Sequence, residues 1–340
     1  MEKKNNLKTL IKKFGVKHII FTLTMIVMVI VPLFVDNYVL KIFHSAAINM
    51  IFGMSLNLLM GIGGTVSFGH ACFYGVGAYT TACMWFHFGW TSTMAFPLVI
   101  VFSAIAGLLL AIPMSRITGR YVTIITLSYA EILNLIMRNW TKVTNGVMGI
   151  LNIPNFNLFG LELKYKDEQY WFILIFVVIT YVMINWLVNS KLGRNLQAMR
   201  DDPIAAEAMG INLFSHKVII FTISAVFAGI AGSLYAHIYG YIDYTVFTSN
   251  LSFNCISIVV VGGLGNFVGT IFGALFLTIL PEMLRNIEFL FNYRMIVYGI
   301  ILVLVMWMNH SIPGAKIKAA FANMFRKIFH RASPEAIEEV

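Results

Sequence analysis

Long apolar stretches alternate with short polar ones along nearly the whole chain. They cover 18–35, 40–60, 66–88, 94–112, 121–138, 169–189, 217–240, 251–264, 266–283 and 294–310. A transmembrane helix needs about 20 largely apolar residues, and segments of this size occupy roughly 200 residues here. The runs are continuous and lack the period-two alternation of a membrane barrel. The pattern therefore predicts an all-α integral membrane protein of about ten transmembrane segments. Segments 66–88, 251–264 and 266–283 are short or interrupted by glycine and are the least complete as crossings. The first segment follows a basic stretch, as a signal peptide would. The run from Ile19 to Val35 is long for that, and no small-x-small cleavage site follows closely, so it reads as an uncleaved span. The organisation is a basic tail at 1–17, a transmembrane region at 18–310 with a polar loop at 190–216, and a second tail at 311–340.

Composition agrees. Of 340 residues, 59% are apolar and 11% charged, with a mean hydropathy of +0.80. A soluble chain of this size needs a polar outer shell. A soluble enzyme, a disordered chain and a disulfide scaffold are excluded. Cys72, Cys83 and Cys255 all lie in apolar runs and read as buried free thiols.

The net charge of +9 could signal nucleic acid or an anionic membrane surface, and its distribution decides. With the N-terminus inside, 17 of the 24 Lys and Arg fall on the cytoplasmic side and seven outside. This is the positive-inside bias. Ten crossings also return the basic C-terminal tail to the cytoplasm. Seven acids lie on each side, and the remaining one, Glu131, sits within a span. The inner face is thus strongly positive and the outer face neutral. The excess is a topology signal and gives no support to nucleic-acid binding.

Chemistry at membrane depth is sparse. Glu131 is expensive to bury in lipid and must face protein or water. It reads either as a pathway or gating group, or as a structural acid bonded to hydroxyls or backbone of a neighbouring helix. His70, beside Gly69, reads mainly as a packing histidine. Glycines cluster at Gly61, Gly63, Gly64, Gly69, Gly75 and Gly77, and again at Gly262, Gly263, Gly265, Gly269 and Gly273. Both clusters suit either helix breaks that frame a transport path or close helix packing. The chain has no P-loop, no H-E-x-x-H, no paired Cys-x-x-Cys and no nucleophile elbow. No catalytic residue, metal site or cofactor is expected. If ATP drives transport, another chain must hold it.

The loop at 190–216 has its own pattern. Leu192, Leu196 and Met199 fall at helical spacing. Asp201-Asp202-Pro203 is a helix start, Gly210 a stop, and Ile204 to Met209 makes about two turns. A short alanine-rich helix suits insertion into a groove on a partner.

Taken together, these motifs resemble the LivM-type permease subunits of branched-chain amino-acid ABC transporters, from about Asn49 to Leu280. The resemblance rests on Ser67, Gly69, His70, Ala71, Phe73, Gly75, Gly77, Ala78 and Tyr79. It continues through Gly119, Tyr121, Thr126, Leu127 and Glu131, then Thr144, Gly146 and Gly149. In the loop it rests on Gly193, Arg194, Ala198, Arg200, Asp201, Asp202, Ala205, Ala206 and Gly210. Ser224-Ala225, Ala228-Gly229, Ala231-Gly232 and Gly262-Gly263-Leu-Gly265 follow. Pro203 stands where that family usually has Glu, Asn266 where it has Ser or Thr, and Cys255 is unusual.

The resemblance implies a permease of the bacterial inner membrane that is not itself an enzyme. It implies a homologous second permease subunit, two cytosolic ABC ATPases that bind the ATP, and an extracytoplasmic solute-binding protein. The cargo would be a small apolar amino acid, with urea or short amides as the alternative within the same machinery. A secondary amino-acid transporter is the rival of another class. The ATPase-coupling loop would involve Gly193, Arg194, Arg200, Asp201, Asp202, Ala205, Ala206, Glu207 and Gly210. The candidate translocation path comprises Ser67, Gly69, His70, Tyr79, Thr123, Thr126, Glu131, Gly262, Gly263 and Gly265. Thr123, Thr126 and Ser128 are candidate hydroxyls for the charged ends of the substrate.

Overall fold

The computed structural model describes residues 20–285, apart from 118, 120, 159, 160 and 164, together with 299, 300 and 303. Both tails and most of the segment expected at 294–310 lie outside the described residues. The chain divides into Met1–Leu280 and Pro281–Val340. In the second unit the described residues are helical.

The apolar runs become helices. These are α1 (Ile20–Ile30), α2 (Asn37–Asn57), α3 (Ala71–Phe88), α4 (Ser92–Met114), α5 (Tyr121–Asn139), the single turn α6 (Thr141–Thr144) and α7 (Lys166–Asn189). The loop helices α8 (Lys191–Asp201) and α9 (Pro203–Ala208) follow, then α10 (Leu213–Tyr239), α11 (Ser249–Gly262) and α12 (Phe267–Arg285). Among the described residues, four are long and apolar enough to cross a membrane by themselves: Asn37–Ile62, Ser92–Met114, Lys166–Asn189 and Leu213–Tyr239. Among the described residues, strand is confined to two-residue pieces. β1 (Ile150–Leu151) pairs antiparallel with β4 (Tyr241–Ile242), and β2 (Asn157–Leu158) with β3 (Leu161–Glu162).

Two of the segments expected to be short are so, with shifted bounds. The stretch expected at 66–88 becomes helical only at Ala71, because residues 63–70 run without regular structure. The segment expected at 251–264 is the 14-residue helix Ser249–Gly262. At 1.5 Å per residue it spans about 21 Å, less than the roughly 30 Å hydrocarbon core.

In the first unit α10 packs along α3, α4 and α2, and α2 also meets α7 and α11. Small residues set these distances. A Cβ on Gly77 would overlap the Gly229 carbonyl, and one on Gly232 would overlap the Tyr74 carbonyl. Without a hydrophobic force between helices in lipid, such close backbone packing is what holds them together. The central helices are correspondingly covered: 83% of the most apolar window of α2 is buried, against 39% for α4 and 33% for α7.

The connections gather at two ends. At one, which we name the loop end, Arg200 of α8 reaches Gly61, and Gly61 lies against Gly265. At the far end β1 pairs with β4, the His44 ring meets the Lys166 carbonyl, and Ser92 and Thr93 donate to the Asn157 carbonyl. The Trp171 indole donates to the Val29 carbonyl there as well.

Candidate functional site

Two breaks in the helical order run into the helix bundle from opposite ends. The first follows a widened π turn, Leu58–Ile62, that ends α2. Residues 63–70 then run inward to the start of α3. Backbone freed from a helix inside a membrane must find other partners. The Phe68 amide donates to Thr126 Oγ1 at 3.1 Å, and the Ala71 amide to Ser252 Oγ at 2.9 Å. Gly69 lies so close to α5 that a Cβ would overlap the Thr126 carbonyl. The second break, 240–248, leaves α10 at Gly240 (φ +65°) and leads to α11. Asn134 donates to its Tyr244 carbonyl at 2.7 Å and its Phe247 carbonyl at 3.3 Å. At the entry to α11, Ser249 Oγ donates to Glu131 Oε1. One helix, α5, therefore fastens both breaks: Thr126 the first, Asn134 and Glu131 the second.

At the loop end the two glycine clusters meet. Asn57, fully buried, accepts from the Gly265 amide at 2.8 Å and donates to Thr270 Oγ1 at 2.6 Å and the Gly263 carbonyl at 3.3 Å. Gly262 packs on Gly269 so closely that a Cβ on Gly262 would come within 2.6 Å of the Gly269 carbonyl carbon. Gly263 (φ +92°) and Gly265 (φ +74°) shape the turn between α11 and α12, in backbone that side-chain-bearing residues rarely adopt.

The remaining residues expected on a path are placed as follows. Ser67, His70 and Thr126 are fully buried, and Tyr79 nearly so. His70 Nε2 meets Ser55 Oγ at 2.9 Å, and its ring packs against Phe52 and Phe73. The Thr126 hydroxyl also donates to the Thr123 carbonyl. These groups organise the interior around the first break. Thr123 instead lines a cavity of about 430 Å³ at the loop end, with Gly63, Gly64, Arg200 and Lys217.

The outward faces of the helices differ sharply. Those of α1, α4 and α7 are apolar at depth: Leu23, Ile26 and Val27; Val101, Ile105 and Leu109; Ile175, Val178 and Val182. The face made by α5 and α11 is mixed. On α5, Ser128 and Glu131 are exposed beside Ile124 and Ile132. On α11, Asn250 and Asn254 are exposed one turn apart, next to Ser249 and Phe253. Hydrocarbon cannot solvate a carboxylate and two carboxamides, so water or another protein chain must cover this wall. The asparagines escape a sequence reading, because helical position alone does not say which face stays open.

In the loop, Ser190 caps α8 by accepting from the Gly193 amide, and Asp202 caps α9 by accepting from the Ile204 and Ala205 amides. Arg194 donates to the Asn189 carbonyl, Ala206 is buried, and Gly210 turns at φ +80°. Ala205 and Glu207 are exposed. So are Ile204 (82%) and Met209 (83%), two apolar knobs on α9 and its C-terminal end that the alanine pattern did not single out. Among the described residues no group of three or more His, Cys, Asp and Glu is placed to hold a metal ion.

Comparison with known proteins adds to this geometry. A profile of the family described as branched-chain amino acid transport system / permease component matches residues 38–306. The chain is 33% identical to the high-affinity branched-chain amino acid transport system permease protein LivM of Salmonella typhimurium, over 90% of this chain and 79% of that protein. It is equally identical to LivM of Escherichia coli, over 86% and 73%. The permease protein LivH of Escherichia coli is 24% identical, over 73% of this chain and 85% of its own. No solved structure matches. On the strength of the profile and the two LivM proteins, this multi-pass membrane chain belongs to the branched-chain amino acid transport system permease family.

Proposed function

We propose that the chain is the permease subunit of an ABC importer for branched-chain or other apolar amino acids, and that the α5–α11 wall forms its half of the translocation path. The observation that carries this is the exposed Ser128, Glu131, Asn250 and Asn254 on α5 and α11, where the outward faces of α1, α4 and α7 are apolar among the described residues. A homologous second permease closes the path. Two cytosolic ATPases dock on the 190–216 loop, and an external binding protein delivers the substrate. The chain makes about ten crossings with both termini in the cytoplasm, and the sorting of connections to two ends supports that alternation. The membrane is the bacterial inner membrane. Apolar side chains fit a wall whose remaining surface is Ile124, Ile132 and Phe253. The charged ends of the substrate find Glu131 and the two carboxamides.

The test is labelled-leucine uptake into vesicles holding the whole assembly. Wild-type uptake should require ATP and the binding protein. Glu131→Gln should insert and assemble normally yet lower uptake about tenfold or more, the size of one charge-assisted hydrogen bond. Uptake that persists without the ATPases would instead identify a secondary transporter. Uptake of urea but not leucine would reassign the cargo.

A further inference from the structure

We propose that Arg200 is the positioning residue through which movement of the loop helices α8 and α9 reaches the first break of the membrane domain. This rests on the reading of the chain as an ATP-driven permease. By sequence position Arg200 looks like a group offered to an ATPase, but it points the other way. Its Nη1 donates to the Gly61 carbonyl at 2.6 Å, in the π turn that closes α2. Its Nε and Nη2 both donate to Asp201 Oδ1, at 3.0 and 2.8 Å. The guanidinium is thus oriented by one neighbour and fastened to the membrane domain by another. A planar fork makes these bonds in one fixed geometry, which the compact, freely rotating ammonium of a lysine does not preset.

The stem is held as well. Gly64 sits at φ +65° against it, and a Cβ there would approach Arg200 Cγ to 2.5 Å. Arg200 therefore grips residues 61–64 from two sides. What it grips is a hinge: Gly63 and Gly64 open the break that runs to Gly69 against α5. On its other flank Gly61 is packed so closely on Gly265 that a Cβ would overlap that amide. A shift of the Gly61 carbonyl thus displaces the turn between α11 and α12 along with the break. The cavity of about 430 Å³ lies beside this grip and includes Arg200, Gly63, Gly64 and Thr123 in its lining. A change in the pose of α8 would alter this cavity, which reaches the loop end of α5 at Val122 and Thr123.

The rest of the loop contributes less direct linkage. Leu196 and Met199 anchor α8 by packing, and Asn195 meets the His216 ring at 3.1 Å. That hydrogen bond ties the loop region to itself and reaches neither glycine turn.

The experiment uses the complete transporter in vesicles and measures three quantities: ATPase association, ATP hydrolysis stimulated by loaded binding protein, and leucine uptake. Arg200→Ala should keep association and hydrolysis within about twofold of wild type and lower uptake at least tenfold, so that more ATP is spent per leucine. Arg200→Lys should fall between the two. Gly64→Ala, which displaces the arginine stem without removing its charge, should reproduce the uncoupling. Unchanged uptake in Arg200→Ala would overturn the inference. So would parallel loss of association and uptake, or failure of both variants to insert, since each makes the residue a docking or folding group. A wild-type complex without ATP-dependent uptake would refute the reading beneath it instead.

Discussion

Asn57 shows how much a single side chain can organise at membrane depth. It lies in the last turn of α2 and is fully buried. Its carboxamide joins three points on the opposite segment: the Gly265 amide, the Gly263 carbonyl and the Thr270 hydroxyl. Removing it leaves a backbone amide without its acceptor in a dry site, at a cost of about 1–3 kcal/mol. Asn57→Ala should therefore lower the melting temperature of the purified subunit in detergent, while Lys41→Ala, at an exposed position on the same helix, should not. Equal melting temperatures would show that water or a shifted backbone replaces the bond. Sequence alone brought out Glu131, because one acid in an apolar run stands out. It did not bring out Asn57, Asn134, Asn250 or Asn254. An uncharged amide costs little in a hydropathy count, and what separates Asn57 from Asn250 is whether the fold covers it.

At the scale of elements, the informative helices are the short ones. α9 has six residues and would not persist alone, since nucleating a helix costs more than two turns return. It is held by Asp202, which accepts from two of its first amides, by Pro203 at its first position, and by burial of Ala206. The residues left outward include Ile204, Ala205, Glu207, Ala208 and Met209. An apolar pair this exposed on an otherwise polar loop suits a groove on another chain. Ile204→Asp with Met209→Asp should abolish capture of the ATPases by the solubilised subunit, with membrane insertion unchanged. Normal capture would exclude α9 as the docking element. The start and stop of this helix were legible, because capping chemistry is local. The breaks were legible as glycine clusters, but their depth was not. That is fixed by α5, through Thr126 and Asn134, across tens of residues of sequence.

At the scale of the whole molecule, what counts is the contrast between outward faces. Periodicity located the apolar segments, and most of the described helices fall within a few residues of those limits. They could not say which sides meet lipid, because all the segments are apolar on average and only packing reveals the uncovered face. The contrast can be tested directly. The natural cysteines Cys72, Cys83 and Cys255 are all buried, so they form a quiet background for labelling. In the assembled transporter, a cysteine at Asn250 should react with a small water-borne, membrane-impermeant thiol reagent, and faster when substrate transport is under way. Cysteines at Ile105 and Val178, on the apolar faces of α4 and α7, should react only with a lipid-soluble reagent. Equal reactivity at all three positions would remove the distinction between wall and lipid face.

The same wall bears on how the protein is made. On the proposed assembly with a second permease, a newly inserted copy would hold Glu131, Asn250 and Asn254 against the acyl chains until that chain arrives. Each such group carries a solvation penalty that no residue of α5 or α11 fully relieves. An orphan subunit is thereby marked as unfinished, and membrane proteases that extract loosely held helices have a physical feature to recognise. Synthesis of the two permeases in matched amounts would then be a condition of survival for each, written into a single face of two helices.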